Sequence, residues 1–122
     1  MAKRILIVED EPDQREVLKF RLEQNGYEVI LACDGEEGLL KAQTEHPDLV
    51  LLDIMLPKMD GFEVCRRLKQ DKNTAAIPIM GLTAFSQKST EEKVRAAGSN
   101  DFMSKLSDSS ELLARIKRLI GG

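Results

Sequence analysis

Short, nearly unbroken apolar runs alternate along this chain with longer stretches whose apolar positions recur every three or four residues. Residues 4–8, Arg-Ile-Leu-Ile-Val, fit a strand buried on both faces. Residues 12–24 place Val17, Leu18 and Leu22 at helical spacing and stop at Asn25-Gly26. Residues 27–32 read as a second strand. Asp34 can cap a helix running to about Thr44, which Pro47 forbids from continuing. Residues 49–52 form a third predicted strand that ends at Asp53, followed by a loop punctuated by Pro57 and Asp60-Gly61. Residues 62–70 read as a helix with Phe62, Cys65 and Leu68 near one face. A strand over 77–82, a helix over 89–97 closed by Gly98, and a short strand over 102–104 complete the alternation. Asp108 or Ser109 caps a last helix whose stripe is Leu112, Leu113, Ile116, Leu119 and Ile120.

Five strands alternating strictly with five helices predict an α/β fold, a doubly wound parallel five-stranded sheet covered on both faces. Such sheets bind ligands beyond the carboxyl ends of their strands, where the strand order reverses. Periodicity alone does not give that order. At 122 residues the chain fits one compact domain, 1–122. A formal net charge of −3 argues against sequence-independent nucleic-acid binding, which needs a basic surface. Cys33 and Cys65 form no CxxC pair and neither is near His46, so two free thiols are expected rather than a disulfide or a zinc site. No signal peptide follows Met1, and no apolar run approaches the ~20 residues of a membrane span. The expected location is cytoplasmic.

The chemistry gathers at the strand ends. Glu9, Asp10 and Glu11 follow the first strand, Asp53 ends the third, Thr83 follows the fourth and Lys105 the fifth. Alone, each is weak: acidic residues before Pro12 are more often a helix cap, a threonine after a strand caps a turn, and a lone lysine is solvated. Together they put carboxylates, a hydroxyl and an ammonium on one rim. Clustered carboxylates repel one another, and a hard divalent cation such as Mg²⁺ or Mn²⁺ relieves that repulsion through oxygen ligands. A carboxylate can also act as a nucleophile toward phosphorus, giving an aspartyl phosphate whose charge a metal, a lysine and a hydroxyl would stabilise.

Four segments, Ile-Leu-Ile-Val-Glu-Asp-Glu-Pro (5–12), Leu-Leu-Asp-Ile-Met-Leu-Pro-Lys-Met-Asp-Gly (51–61), Leu-Thr-Ala (82–84) and Ala-Gly-Ser-Asn-Asp-Phe-Met-Ser-Lys (97–105), together resemble the response-regulator receiver family of two-component signalling. The resemblance covers essentially the whole chain and is nearest to single-domain regulators. It implies the flavodoxin-like strand order 2-1-3-4-5. By resemblance, Asp53 is the phosphoacceptor, Asp10 holds Mg²⁺ directly and Glu9 does so through water, and the backbone carbonyl of Met55 joins the metal shell while its side chain is structural. Lys105 pairs with the carboxylate and phosphoryl group, Thr83 reorients toward the phosphoryl oxygen, and Phe102 is the aromatic that swings inward as Thr83 moves. The implied donor is a phosphohistidine on a sensor histidine kinase or histidine phosphotransfer protein. The implied output is a change at the face of the fourth helix, fifth strand and fifth helix, read by an unknown downstream protein.

Three positions depart from the family pattern. Glu9 stands where aspartate is common. Leu106 follows Lys105 where proline is usual, and because a cis bond before leucine costs roughly 2.5–4 kcal/mol, a trans bond is expected. Phe102 lacks the hydroxyl of a tyrosine. On the first helix, Leu18 and Leu22 face the core, leaving Gln14, Val17 and Arg21 as a docking face for the donor or as an ordinary solvated face. Asp101, Glu111 and Arg115 occupy positions that carry a charged dimer face in DNA-binding members, but Ala96, Ala97 and the segment 83–88 look more like single-domain regulators or hybrid-kinase receivers, and exposed charge pairs contribute little. Met59, Met80 and Met103 are expected as core or loop filler, and Gly81 as backbone room in its strand. Two other functions compete: a binding module that keeps the fold without phosphorylation, and a small α/β enzyme. A dinucleotide enzyme would need G-x-G-x-x-G where Glu9-Asp10-Glu11-Pro12 stands, and an aspartyl phosphatase would carry a second carboxylate where Met55 stands. The expectation is a switch with at most slow self-dephosphorylation.

Overall fold

Five strands, β1 (Arg4–Val8), β2 (Glu28–Ala32), β3 (Leu49–Asp53), β4 (Ile79–Thr83) and β5 (Asp101–Ser104), alternate with five helices, α1 (Pro12–Gln24), α2 (Gly35–Glu45), α3 (Gly61–Gln70), α4 (Lys88–Ala96) and α5 (Ser109–Ile120). The computed structural model describes residues 2–56, 59–84, 88–105 and 108–121. All strand pairs are parallel, in the order β2-β1-β3-β4-β5. Alternation divides the core into two halves. Leu6, Val8, Val50 and Leu52 pack with Val64, Leu68 and Val94 of α3 and α4. Ile5, Ile7, Leu49 and Leu51 pack with Leu22 of α1 and with Leu112 and Ile116 of α5. The strands are therefore apolar on both faces, which is why they read as continuous runs.

Element ends differ from the sequence pattern where backbone donors find other acceptors. Tyr27 was expected to open the second strand, but its N–H donates to Leu22 O at 3.1 Å and β2 starts at Glu28. The fourth strand was expected from Ile77. Instead the Ile77 N–H closes a turn onto Thr74 O at 3.0 Å, Pro78 has no N–H to give the ladder, and β4 begins at Ile79. Asp34, Asp60 and Asp108 cap α2, α3 and α5, accepting the N–H groups of Glu37, Glu63 and Glu111 at 2.8, 2.9 and 3.0 Å. The expected alternatives for the last helix thus resolve to Asp108. The shaping role expected of Pro57, the Lys105–Leu106 bond, and positions 85–87 of the 83–88 segment lie outside the described residues.

Register sets the site. Val8 pairs with Leu52, so Glu9 and Asp53 emerge from the sheet side by side. Asp53 pairs with Leu82, and Thr83 pairs with Ser104, the residue before Lys105. One rim at the carboxyl ends of β1, β3, β4 and β5 therefore receives every predicted chemical group.

Candidate functional site

Asp53 ends β3 and is 4% exposed, and Glu9 directly after β1 is 2% exposed. Asp10 is exposed. Carboxylate oxygens of these three lie within 4.8 Å of one another. The neighbouring acidic residue does not serve as the helix cap that an Asp-Glu pair before proline suggests. Glu11 occupies the N-cap of α1 with no side-chain capping bond, and its N–H instead reaches Glu9 Oε2 at 3.3 Å. Arg15 grips the strand end from the first turn of α1, donating to the backbone carbonyls of Glu9 at 2.9 Å and Asp10 at 3.1 Å.

Lys105 neutralises part of this cluster. Its Nζ donates to Glu9 Oε1 at 2.6 Å, Asp53 Oδ2 at 2.9 Å and Gln14 Oε1 at 2.9 Å. Its backbone N–H is fixed to Thr83 O at 2.8 Å, so β4 and β5 hold its stem in place. Burial pushes the Glu9 carboxyl up from 4.5 to about 7, the Asp53 carboxylate beside it adds to the rise, and Lys105 opposes it. For Lys105, burial disfavours the charge, but the bonds to Glu9 and Asp53 outweigh that and hold its pKa above the usual lysine value. Three carboxylates against one ammonium leave an excess of negative charge in a partly buried cleft. That all-oxygen donor set fits a hard divalent cation.

Asp53 is held from behind. Its Oδ1 accepts the Met55 N–H at 3.0 Å. Gly61 at the start of α3 lies against the same backbone, and a Cβ there would stand 2.5 Å from Ile54 Cα and 2.8 Å from Asp53 O. Only glycine allows this approach, which explains the Asp60-Gly61 signal in physical terms. The Met55 side chain, expected to be structural, is 60% exposed. Its hydrophobic arm finds no core position because Ile54 and Leu56 on either side take the buried ones.

Thr83 is fully buried, and Phe102 is buried against the core that includes Ile54 and Val94. Gly81 makes room for the side chains that pack beside that ring: a Cβ at Gly81 would lie 2.9 Å from Val94 Cγ1 and 3.2 Å from Ile54 Cδ1. Met80 and Met103 are buried and Met59 packs at the core edge, as filler. Cys33 and Cys65 are free thiols. Val17, Gln14 and Arg21 line a groove of about 360 Å³ between α1 and α5, continuous with Lys105 and floored by Leu82 and Met103.

Two features escaped the sequence. Asp101 was grouped with exposed charges, yet it is 5% exposed and meets Arg95 of α4 at 3.6 Å and Arg115 and Arg118 of α5 at 2.9 and 3.1 Å. Glu111 also pairs with Arg115 at 2.9 Å. These charges satisfy each other within the chain and tie α4, β5 and α5 together. Arg15 was also missed, although it is the one cation in the first turn of a helix opening beside three acidic residues.

The parallel sheet of order 2-1-3-4-5 with an acidic pair and an aspartate at its carboxyl rim defines a CheY-like, flavodoxin-like receiver. The response regulator receiver domain family matches residues 5–117, and the chain belongs to it. It is 45% identical over 120 residues to the alkaline phosphatase synthesis transcriptional regulatory protein PhoP of Bacillus subtilis, covering 98% of this chain and 49% of that protein. It is 37% identical over 121 residues to the polar-differentiation response regulator DivK of Brucella ovis, covering 99% and 98%. Among solved structures, the receiver domain of the sensor histidine kinase PA1611 from Pseudomonas aeruginosa PAO1, which has a magnesium ion coordinated in its active-site cleft, superimposes with a TM-score of 0.92 at 33% identity, covering 100% of both chains. The chain spans about half the length of PhoP and several other curated relatives, and nearly all of DivK. Among the described residues no helix is long and apolar enough to cross a membrane.

Proposed function

We propose that residues 1–122 act as one receiver unit that accepts a phosphoryl group on Asp53 from a phosphohistidine of a sensor histidine kinase or phosphotransfer protein. The observation that carries this reading is the setting of Asp53: a buried strand-end carboxylate, 2.9 Å from the Lys105 ammonium and within 4.8 Å of two further carboxylates. A carboxylate oxygen of Asp53 attacks phosphorus, the P–O bond forms as the P–N bond to the donor imidazole breaks, and the histidine leaves neutral after taking a proton. Glu9, Asp10, Asp53 and the carbonyl of Met55 would hold Mg²⁺, or Mn²⁺, which when bound neutralises charge on the transferring phosphoryl oxygens. Lys105 adds a fixed positive charge at the same oxygens, and the Thr83 hydroxyl offers a hydrogen bond from the neighbouring strand end.

The response is a population shift rather than turnover of an outside substrate. Movement of Thr83 toward the phosphoryl group changes the room beside Phe102, whose ring belongs to the same buried cluster as Val94 of α4. The α4-β5-α5 face then changes for a downstream protein. The location proposed is the cytoplasm, without direct nucleic-acid binding by this unit.

The test is intact mass after incubation with acetyl phosphate and Mg²⁺, beside Asp53→Ala. A gain of one phosphoryl group, about 80 Da, that requires Mg²⁺ and is absent from the variant is expected. Failure with acetyl phosphate and with a panel of phosphohistidine donors would leave the binding-module reading in its place.

A further inference from the structure

Lys105 has three N–H donors, and each has a separate acceptor: the carboxylates of Glu9 and Asp53 and the side-chain amide oxygen of Gln14. Two of these partners change during the reaction proposed above. Asp53 loses its charge on becoming a mixed anhydride, and Glu9 belongs to the group that would hold the cation. The Gln14 amide is neutral throughout and belongs to a helix clamped to the rim, because the next residue, Arg15, is bonded to the carbonyls of Glu9 and Asp10. A lysine stem of four carbons has many rotamers, and both of its ion pairs, to Glu9 and Asp53, are to groups whose charge or ligation changes in the reaction. A third bond from the α1 side fixes the direction of the ammonium.

We propose that Gln14 is a positioning residue for phosphoryl transfer: its amide oxygen, 2.9 Å from Nζ, holds Lys105 over Asp53 from the α1 side. The proposal rests on the phosphoacceptor reading of Asp53. It goes beyond a docking role for Gln14, since it requires an effect even when the donor is a small molecule with no surface to dock.

The experiment compares the parent with Gln14→Met, which keeps the length and removes the acceptor, and Gln14→Glu, which restores an acceptor oxygen. Phosphorylation by acetyl phosphate is followed by intact mass. In parallel, water exchange of the Lys105 ammonium protons is followed by ¹⁵N NMR, assigned with Lys105→Arg. Gln14→Met is expected to slow phosphorylation about fivefold, the size of one ordinary net hydrogen bond because Lys105 keeps its two carboxylate partners, and to speed ammonium exchange. Gln14→Glu is expected to return both toward the parent. Equal rates in the parent and Gln14→Met, or a Gln14→Glu variant as slow as Gln14→Met, would overturn the proposal. If the parent takes no phosphoryl group from any donor, the reading of Asp53 fails instead. Ammonium exchange then decides the positioning alone: faster in Gln14→Met supports it, unchanged overturns it.

Discussion

Asp101 shows how a single buried carboxylate can organise a surface. Its oxygens accept the Phe102 N–H at 2.8 Å and two arginines of α5, Arg115 and Arg118, while Arg95 of α4 stands in ion-pair range at 3.6 Å. Because Arg115 and Arg118 remain partly in water, loss of the charge does not strand buried cations, and the cost is that of charge-assisted hydrogen bonds rather than of a broken dry ion pair. Asp101→Asn is therefore expected to lower unfolding free energy by about 2 kcal/mol. Urea denaturation measures this, and a loss of a few tenths would show that the arginines bind Asp101 no better than water does. The residue scale also shows what a sequence conceals. Glu9, Asp10, Asp53, Thr83 and Lys105 were legible because topology places strand ends on one rim whatever the side chains do. Asp101 was not, because burial of one acidic residue among three arginines drawn from 95, 115 and 118 depends on how two helices flank one strand. The exposure of Met55 was hidden for the same reason: neighbours at 54 and 56 decide which of three apolar residues reaches the core.

At the level of elements, helix starts were readable and strand starts less so. An aspartate three residues before an N–H without a helical partner leaves a local signal, read as a cap at 34 and 108 and only as turn punctuation at 60. The starts of β2 and β4 depended instead on where the N–H groups of Tyr27 and Ile77 turned, which periodicity does not encode. The cap of α5 makes a test by pH. The Glu111 N–H, with the Ser110 hydroxyl and N–H beside it, holds the Asp108 carboxyl below its ordinary 3.8. A lowered folded value means that the unfolded chain binds the proton more readily, so this contribution is fully present above about pH 3.8 and fades as pH falls through the folded value. Asp108→Ala should melt below the parent at pH 7, and the gap should narrow in buffers progressively below pH 3.8. A gap that stays constant with pH would mean that the ionised carboxylate contributes nothing to the cap.

For the whole molecule, the sheet sets a conflict that its architecture does not resolve alone. Parallel pairing brings Glu9, Asp10 and Asp53 together, while burial favours protonation of Glu9 and Lys105 supplies the one ammonium bonded to the cluster among the described residues. A cation that binds the folded cluster and not the unfolded chain must then stabilise the fold by mass action. At a Mg²⁺ concentration about a hundred times its Kd the gain is about 2.7 kcal/mol, a rise in Tm of roughly 8–10 °C for a domain of this size. Asp10→Asn removes one exposed ligand of the cluster without touching either bond of Lys105 to Glu9 and Asp53, so the fold and the ion pairs persist while the rise in Tm should largely vanish. Melting both proteins in MgCl₂ and in KCl of matched ionic strength separates site binding from screening, which acts alike on both. A rise that is equal in the parent and Asp10→Asn would place the bound magnesium elsewhere on the molecule, and the acidic rim would then be a store of electrostatic strain that Lys105 alone relieves.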